Sequence, residues 1–305
     1  MPDRREILTA GAIAATSWIW SPLTRAAPEG GSSATGSPGH AANAYPLKLT
    51  RGDRLLLAAQ VNGHDVEALL DSAAEASFLD RAFAQRIGLA GQESATAKGS
   101  GEKNFDVSMA NGVTLSAAGL TLRDQTVAIS DLGDVAQRLL GHPLDMILGR
   151  ELFDAARLHI DIERRELKVM DEKSEPPGVR FELETVNGIE VFPVRVEGEP
   201  ARAAFDLGNG SNVLVGGPYA QRRGFFTDGR AVTKEAGGGL GGEIQRSTFA
   251  LKTLEIAGVT LRDVAAALDD GDSATDLNVG ISVLRHFVIT TDFRAHALWL
   301  DPRAG

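Results

Sequence analysis

One pattern occurs twice in this chain, and the repeat constrains the fold more than any other feature of the sequence. Residues 69–73 read LLDSA and residues 204–208 read AFDLG, so that each apolar run ends in an aspartate. Asp71 and Asp206 are 135 positions apart, as are Val61 and Val196 before them. Blocks that recur in the same order at a similar spacing predict two similar structural units.

Further blocks repeat downstream. Residues 119–124 (GLTLRD) match 258–263 (GVTLRD), and residues 146–149 (MILG) match 277–280 (LNVG). The segments around these blocks show the near-alternation of apolar and polar residues that is typical of strands. The chain of 305 residues is therefore predicted to be mainly β, in two similar domains.

About one short helix is expected in each half. In the first half Ser77 begins a segment that resembles a capping box, and Gly88 supplies the stop. In the second half Pro218 can open a shorter helix that Gly224 closes.

The amino-terminal segment has the pattern of an export signal. Arg4 and Arg5 precede an apolar stretch at residues 10–20 and a small-residue exit near Ala27. Residues 1–27 are thus predicted to be a twin-arginine signal, and the protein to be periplasmic or secreted. A membrane anchor is the alternative, but the apolar stretch is shorter than the ~20 residues that span a bilayer.

Three further segments follow the signal. Residues 28–44 are rich in glycine and serine and are expected to form a flexible linker. Residues 45–175 and 178–305 are the two predicted domains, separated by a charged and proline-rich boundary at 171–178.

The composition excludes several functions. A formal net charge of −10 argues against nucleic acid or an anionic membrane surface as partner. The chain has no cysteine, which excludes thiol catalysis, and its six histidines have no ligand spacing. No metal and no cofactor are therefore expected.

Two of the aspartates repeated between the halves are candidates for chemistry. Asp71 and Asp206 each pass from an apolar strand directly into a loop of small residues, which allows two backbones to approach closely. Two carboxylates held about 3 Å apart cannot both ionise, so they share a proton. Such a pair can activate a water molecule for hydrolysis without a metal or a covalent intermediate. The alternative for each aspartate is a plain turn residue.

The other repeated aspartates are expected to be structural. Asp161 and Asp292 are predicted to be solvent-facing hairpin residues, since polar turns follow them. Asp145 and Asp276 precede short apolar runs, where a carboxylate caps a turn or begins a strand.

In the repeated aspartate blocks and the downstream blocks that end in Gly149 and Gly280, residues 45–301 resemble the aspartic proteases. A retropepsin-like lobe is present twice, as in the bilobed pepsin-like enzymes. The resemblance implies two closed β-barrel lobes, a peptide or protein substrate, and Asp71 and Asp206 as the catalytic pair. Both half-sites lie in one chain, so a monomer suffices. The residues that would support the pair are Ser72, Ala73, Gly208, Gly149 and Gly280.

The chain departs from the family pattern twice. Ala73 stands where the family has glycine, and Leu207 stands where it has a hydroxyl residue. An aspartic endopeptidase and a non-catalytic peptide-binding module that uses the same cleft both remain compatible with the sequence.

Two glycine-rich stretches are candidates for flaps over the cleft. Residues 237–242 fit G-x-G-x-x-G, but a strand-like rather than helical pattern follows, which argues against a dinucleotide site. A mobile hairpin fits better, with residues 98–104 as its counterpart in the first half, and a plain solvent loop is the alternative. The glycines that would form these flaps are Gly99, Gly101, Gly239 and Gly241.

Overall fold

The computed structural model describes residues 7–9, 43–271 and 273–303. The predicted signal and linker therefore lie outside the described residues, except for Ile7–Thr9 and the last two linker positions. The strands before the predicted boundary are β1 (Ile7–Thr9), β2 (Ala44–Leu49), β3 (Leu55–Val61), β4 (His64–Leu70), β5 (Phe78–Asp80), β6 (Gln92–Lys98), β7 (Asn104–Ala117), β8 (Leu120–Ser130), β9 (Met146–Leu148), β10 (Leu158–Asp161) and β11 (Glu166–Val169). The strands after it are β12 (Val179–Glu182), β13 (Glu184–Val186), β14 (Ile189–Val196), β15 (Glu199–Phe205), β16 (Val213–Gly216), β17 (Thr233–Gly237), β18 (Ile244–Ile256), β19 (Val259–Asp269), β20 (Leu277–Val279), β21 (Phe287–Asp292) and β22 (Ala297–Pro302).

Six strands in each half close into a barrel with the same strand order. In the first barrel the order is β7-β8-β5-β9-β4-β3, and β3 pairs back onto β7. In the second the order is β18-β19-β16-β20-β15-β14, and β14 pairs back onto β18. The prediction of a mainly β protein with two similar barrel-like lobes is confirmed.

The repeated blocks form equivalent hairpin turns. Asn62 and Gly63 join β3 to β4 with φ values of 49° and 80°, and Glu197 and Gly198 join β14 to β15 with 50° and 82°. Two successive residues with positive φ are typical of the type I′ turn, whose twist matches that of the strands it connects. The same turn at the same place fixes the same register in both barrels.

A six-stranded sheet joins the two halves, in the order β2-β11-β10-β21-β22-β12. Its central pair is β10 with β21, in which Ile160 lies opposite Ile289. The first half contributes the hairpin β10–β11 and the outer strand β2, and the second half contributes the hairpin β21–β22 and the outer strand β12. The two halves thus contribute equivalent strands, as they do to the two barrels.

The burial of this sheet shows that one prediction was wrong. Asp161 and Asp292 are buried rather than solvent-facing. Asp161 forms an ion pair with Arg303 at 2.5 Å, and Asp292 forms one with Arg157 at 3.1 Å. The two aspartates lie in the central strands of the joining sheet, where the rest of the chain covers them. The expectation for Asp145 and Asp276 agrees with the structure, since they directly precede β9 and β20.

The helices are short and more numerous than expected. Helix α1 (Arg81–Arg86) begins after Asp80, whose carboxylate accepts the first free N–H groups, so Asp80 and not Ser77 is the N-cap. Pro218 near the start of α4 (Gly217–Arg223) and Gly224 at its end, with φ 65°, agree with the prediction. No helix within the described residues is long and apolar enough to cross a membrane. The described helices are α1 (Arg81–Arg86), α2 (Gly133–Leu139), α3 (Arg150–Ala155), α4 (Gly217–Arg223) and α5 (Ile281–Leu284).

Candidate active site

Asp71 and Asp206 occupy equivalent positions in the two barrels. Asp71 directly follows β4 and its N–H donates to the carbonyl of Leu148 at 3.0 Å. Asp206 directly follows β15 and its N–H donates to the carbonyl of Val279 at 3.1 Å. Both aspartates are completely buried. Each aspartate of the predicted pair therefore lies at the end of an equivalent strand, β4 or β15, beside an equivalent neighbouring strand, β9 or β20.

A single glycine touches both carboxylates. The N–H of Gly208 donates to Oδ1 of Asp206 at 2.8 Å. A Cβ at Gly208 would overlap the carboxylate of Asp71. Both carboxylates therefore lie against Gly208, and a side chain at this position would collide with the carboxylate of Asp71.

The two carboxylates have different hydrogen-bond donors. Oδ1 of Asp71 accepts from the N–H of Ala73 at 2.9 Å. Oδ1 of Asp206 accepts from Gly208 and from the N–H of Asn209 at 3.1 Å, while Oδ2 accepts from Nδ2 of Asn278 at 2.6 Å. Asp206 thus has a side-chain donor on its second oxygen.

Burial raises the pKa of Asp206 above its usual range, because the ionised form loses its hydration. The hydrogen bonds from Asn278, Gly208 and Asn209 and the positive charge of Arg54 oppose this rise without cancelling it. A carboxyl with a raised pKa can hold a proton at mildly acidic pH, which a shared-proton mechanism requires.

Ser72 links the two loops that carry the aspartates. Its Oγ donates to the carbonyl of Phe205 and accepts from the N–H of Leu207, both at 2.9 Å. Leu207, at the corresponding position of the second barrel, has no hydroxyl to return these bonds. Its side chain is buried in the main apolar core instead. One serine therefore connects the loops that two hydroxyl residues would otherwise connect.

Ala73 is accommodated without strain. The residue packs in a small apolar cluster with Ile189 and Ala204. Among the described non-glycine residues, those with positive φ do not include Ala73. Since alanine is costly only where φ is positive, replacement of the expected glycine does not distort this loop.

Gly149 and Gly280 bring the end of a strand close to each aspartate loop. A Cβ at Gly149 would overlap the backbone of Ala74 and Ala76, and one at Gly280 would overlap Asn209. Both positions therefore require glycine because of close backbone approach.

The two candidate flaps are turns, and their tips contact each other. The first, residues 98–104, joins β6 to β7, and the second, residues 237–242, joins β17 to β18. The N–H of Gly101 donates to the carbonyl of Leu240 at 2.9 Å. A Cβ at Gly99 would overlap Leu240, so these glycines permit the tips to interlock.

The second flap is also docked on the first barrel. Leu240, between Gly239 and Gly241, is buried in an apolar cluster of the first barrel that includes Phe78 and Val107. Arg138 of α2 donates to the carbonyl of Gly239 at 2.8 Å. The tip of one flap therefore occupies a pocket that the opposite half of the chain provides.

Two residues of the site were missed from the sequence, Asn278 and Arg54. Both stand where the other half has an apolar residue, since Asn278 corresponds to Ile147 and Arg54 to Ile189 in the strand registers. Burial lowers the pKa of Arg54 to about 10, against the opposing charges of Asp206, Asp71 and Asp53. A comparison of the two copies of the repeat could have identified both residues, because each is polar in one copy and apolar in the other.

Residues 57–152 match the model of an aspartyl protease family. The matched stretch includes Asp71, Gly149 and the first flap, and it covers the strands that form the first barrel. The match supports an aspartic peptidase, a hydrolase, at the level of the family. Asp206 lies outside the matched residues. A search of curated proteins finds no match to this chain.

Proposed function

We propose that this chain is an aspartic endopeptidase in which Asp71 and Asp206 together activate a water molecule. The observation that carries the proposal is the position of Gly208, which contacts the carboxylate of Asp71 and donates to that of Asp206. This arrangement supports a pair of carboxylates close enough to share one proton.

The proposed reaction follows from that shared proton. The ionised carboxylate takes a proton from water as the water oxygen attacks the peptide carbonyl carbon, and the protonated carboxyl donates a hydrogen bond to the carbonyl oxygen. The tetrahedral intermediate collapses when the C–N bond breaks and the nitrogen takes a proton. Because one carboxyl must stay protonated, activity is expected to be highest at acidic pH.

The test is cleavage of a diverse peptide library by the purified chain from pH 3 to 7. Asp71→Asn and Asp206→Asn should each lower kcat/KM by at least about a thousandfold, since either change removes one of the two carboxyl groups that share the proton. Asp145→Asn serves as a matched control, because Asp145 lies at the start of a strand and makes an ion pair with Arg86. No cleavage by the unmodified chain, or equal cleavage by the Asp71 variant, would contradict the proposal.

A non-catalytic peptide-binding module is the second candidate. Two observations favour it: the side chain of Leu207 has no hydroxyl that could bond to the first loop as Ser72 bonds to the second, and Asn278 donates to Oδ2 of Asp206. Saturable peptide binding without turnover, unchanged in Asp206→Asn, would support this candidate over the enzyme.

We also propose that the protein acts outside the cytoplasm and as a single chain. Replacement of Arg4 and Arg5 by lysine should abolish export if the signal is of the twin-arginine type, because that route reads the adjacent arginines. Cell fractionation with an antibody to the chain measures the result. Activity that is linear in protein concentration would support a monomeric enzyme.

A further inference from the structure

A cavity of about 220 Å³ lies beside the Asp206 loop. It is smaller than the ~300–1,000 Å³ of typical small-molecule and cofactor sites, so its size suits a single side chain. The residues that line it come from both halves of the chain and include Arg54, Asn209, Ser211, Leu214, Glu235 and Arg246.

This cavity is the counterpart of the pocket that Leu240 fills. In the first barrel Phe78 pairs with Ala128 and with Ile147, and in the second Leu214 pairs with Ala267 and with Asn278. The first pocket is apolar and contains Leu240. The second is lined mainly by polar and charged groups, so the two pockets are suited to different side chains.

Arg54 gives the cavity a buried guanidinium with a free N–H donor. Its side chain is about 95% buried, and no carboxylate of the described residues lies within ion-pair distance of it. Nη1 donates to the carbonyl of Gly52 at 2.7 Å, while Nε has no hydrogen-bond partner among the described residues. A buried guanidinium without a paired carboxylate is costly to the folded chain.

The other charged residues that line the cavity do not pair with Arg54. Arg246 already forms an ion pair with Asp269 at 2.7 Å and donates to the carbonyl of Ser100 at 2.9 Å. Glu235 is exposed at the rim. The charges of Asp206, Asp71 and Asp53 favour the ionised form of Arg54, but Nε remains without an acceptor among the described residues.

The fold itself does not require a cation at position 54. The corresponding residue of the second half is Ile189, which packs against Ala73 and Ala204 at the same place in its barrel. An apolar residue thus fills this position in one copy of the barrel, whereas the arginine of the other copy lines the cavity.

We propose that this cavity is a substrate subsite for an acidic side chain, glutamate or aspartate, whose carboxylate binds the guanidinium of Arg54. The inference rests on the proposed function, since it names the class of peptide that the site selects. A carboxylate matches the planar donors of arginine, and one bound in the cavity would give the free Nε of Arg54 an acceptor.

The first measurement is a ratio of cleavage rates. A peptide cleaved by the purified chain is prepared with Glu or Gln at each of the four positions on either side of the scissile bond. At one position we expect kcat/KM to be at least about tenfold higher for Glu than for its isostere Gln. The ratio should fall to about one or below in Arg54→Met and be largely kept in Arg54→Lys, which retains the charge.

The second measurement does not depend on catalysis. The Asp71→Asn protein is mixed with pools of end-capped octapeptides that carry a fixed central Glu or Gln, and bound peptides are quantified by mass spectrometry. We expect enrichment of the Glu pool, lost in the Arg54→Met double variant and increased a few-fold by Glu235→Gln, which removes the negative charge at the rim. Thermal melting of each variant shows whether it is folded.

Equal rates and equal capture of the Glu and Gln peptides would overturn the subsite, as would a Glu preference that survives in folded Arg54→Met. Enrichment without any cleavage by the unmodified chain would keep the subsite and reject the peptidase. The failure of one proposal is thus distinguishable from the failure of the other.

Discussion

The Asp71 loop and the Asp206 loop occupy the same place in two barrels of the same strand order, but different neighbours surround them. Ala73, Ile147 and Ile189 on the side of the Asp71 loop are apolar, whereas the matching residues on the side of the Asp206 loop are Gly208, Asn278 and Arg54. The charge of Arg54 acts on both aspartates, while Asn278 donates to Asp206. Duplication alone would give two equal surroundings, and these substitutions make them unequal.

Ser72 is where a substitution should disturb the two loops most, since its hydroxyl bonds to the backbone of the Asp206 loop twice. Ser72→Ala leaves the carbonyl of Phe205 and the N–H of Leu207 buried without this partner, which we expect to lower the free energy of unfolding by about 2–3 kcal/mol. Loss of alignment should also lower kcat/KM by roughly 100-fold. Denaturant unfolding and peptide cleavage measure the two effects.

Ser72→Thr is the matched control, because it keeps the hydroxyl and should keep most of the activity. Full activity in Ser72→Ala would show that the bonds between the loops are not needed for the geometry of the site.

A second difference lies at the loop positions Glu75 and Gly210. Gly210 packs closely on the backbone of Gly52 and Asp53, while the half-buried carboxylate of Glu75 packs on Gly188. Burial raises the pKa of Glu75 from 4.5 to about 8, with the charge of Arg150 opposing the rise.

The folded chain therefore holds a proton that the unfolded chain releases near pH 4.5, and stability is lost as the pH rises from about 4.5 to about 8. We expect a loss of about 2–4 kcal/mol across this window. Thermal melting at pH 5 and 8.5 measures it, and Glu75→Gln should flatten the difference. An unchanged pH dependence in that variant would assign the effect to another group.

The two flaps differ in the described residues, where the second flap inserts the apolar side chain of Leu240 into the opposite barrel. Leu240→Ala should weaken this docking by about 2 kcal/mol through lost burial. We expect faster hydrogen exchange at the N–H groups of Gly101 and Lys103, which donate to the carbonyls of Leu240 and Gly241. Exchange at the same rate as in the unmodified chain would show that the apolar contact does not hold the flaps together.

The smallest expected effect is a shift of the pH profile. Asn278→Leu makes the second barrel resemble the first and removes the donor to Oδ2 of Asp206. Since that hydrogen bond favours the ionised form, its loss should raise the pKa of Asp206 further and move the pH profile of kcat/KM to higher pH.

Ile147→Leu is the matched change in the first barrel and should leave the profile in place. A profile that moves to lower pH in Asn278→Leu would contradict the assigned role of the asparagine.

The local sequence predicted much of this fold. The repeated blocks specify their own turns, as at Asn62–Gly63 and Glu197–Gly198, and a proline and a glycine bound helix α4. The sequence also shows directly that each aspartate ends an apolar run and is followed by small residues. These features depend on residues within one turn or one strand, whose preferences act over a few positions.

What only the tertiary structure decided depends on neighbours far apart in the chain. The local sequence predicts that Asp161 is an exposed hairpin residue, but it is buried because a hairpin from the other half lies beside its strand. The local sequence shows Arg54 as a charged residue before a strand and gives no sign of burial. In the folded chain its charge is buried beside the Asp206 loop. Burial and charge pairing are set by residues more than a hundred positions away, so the local sequence could identify the two aspartates but not the unequal surroundings that distinguish them.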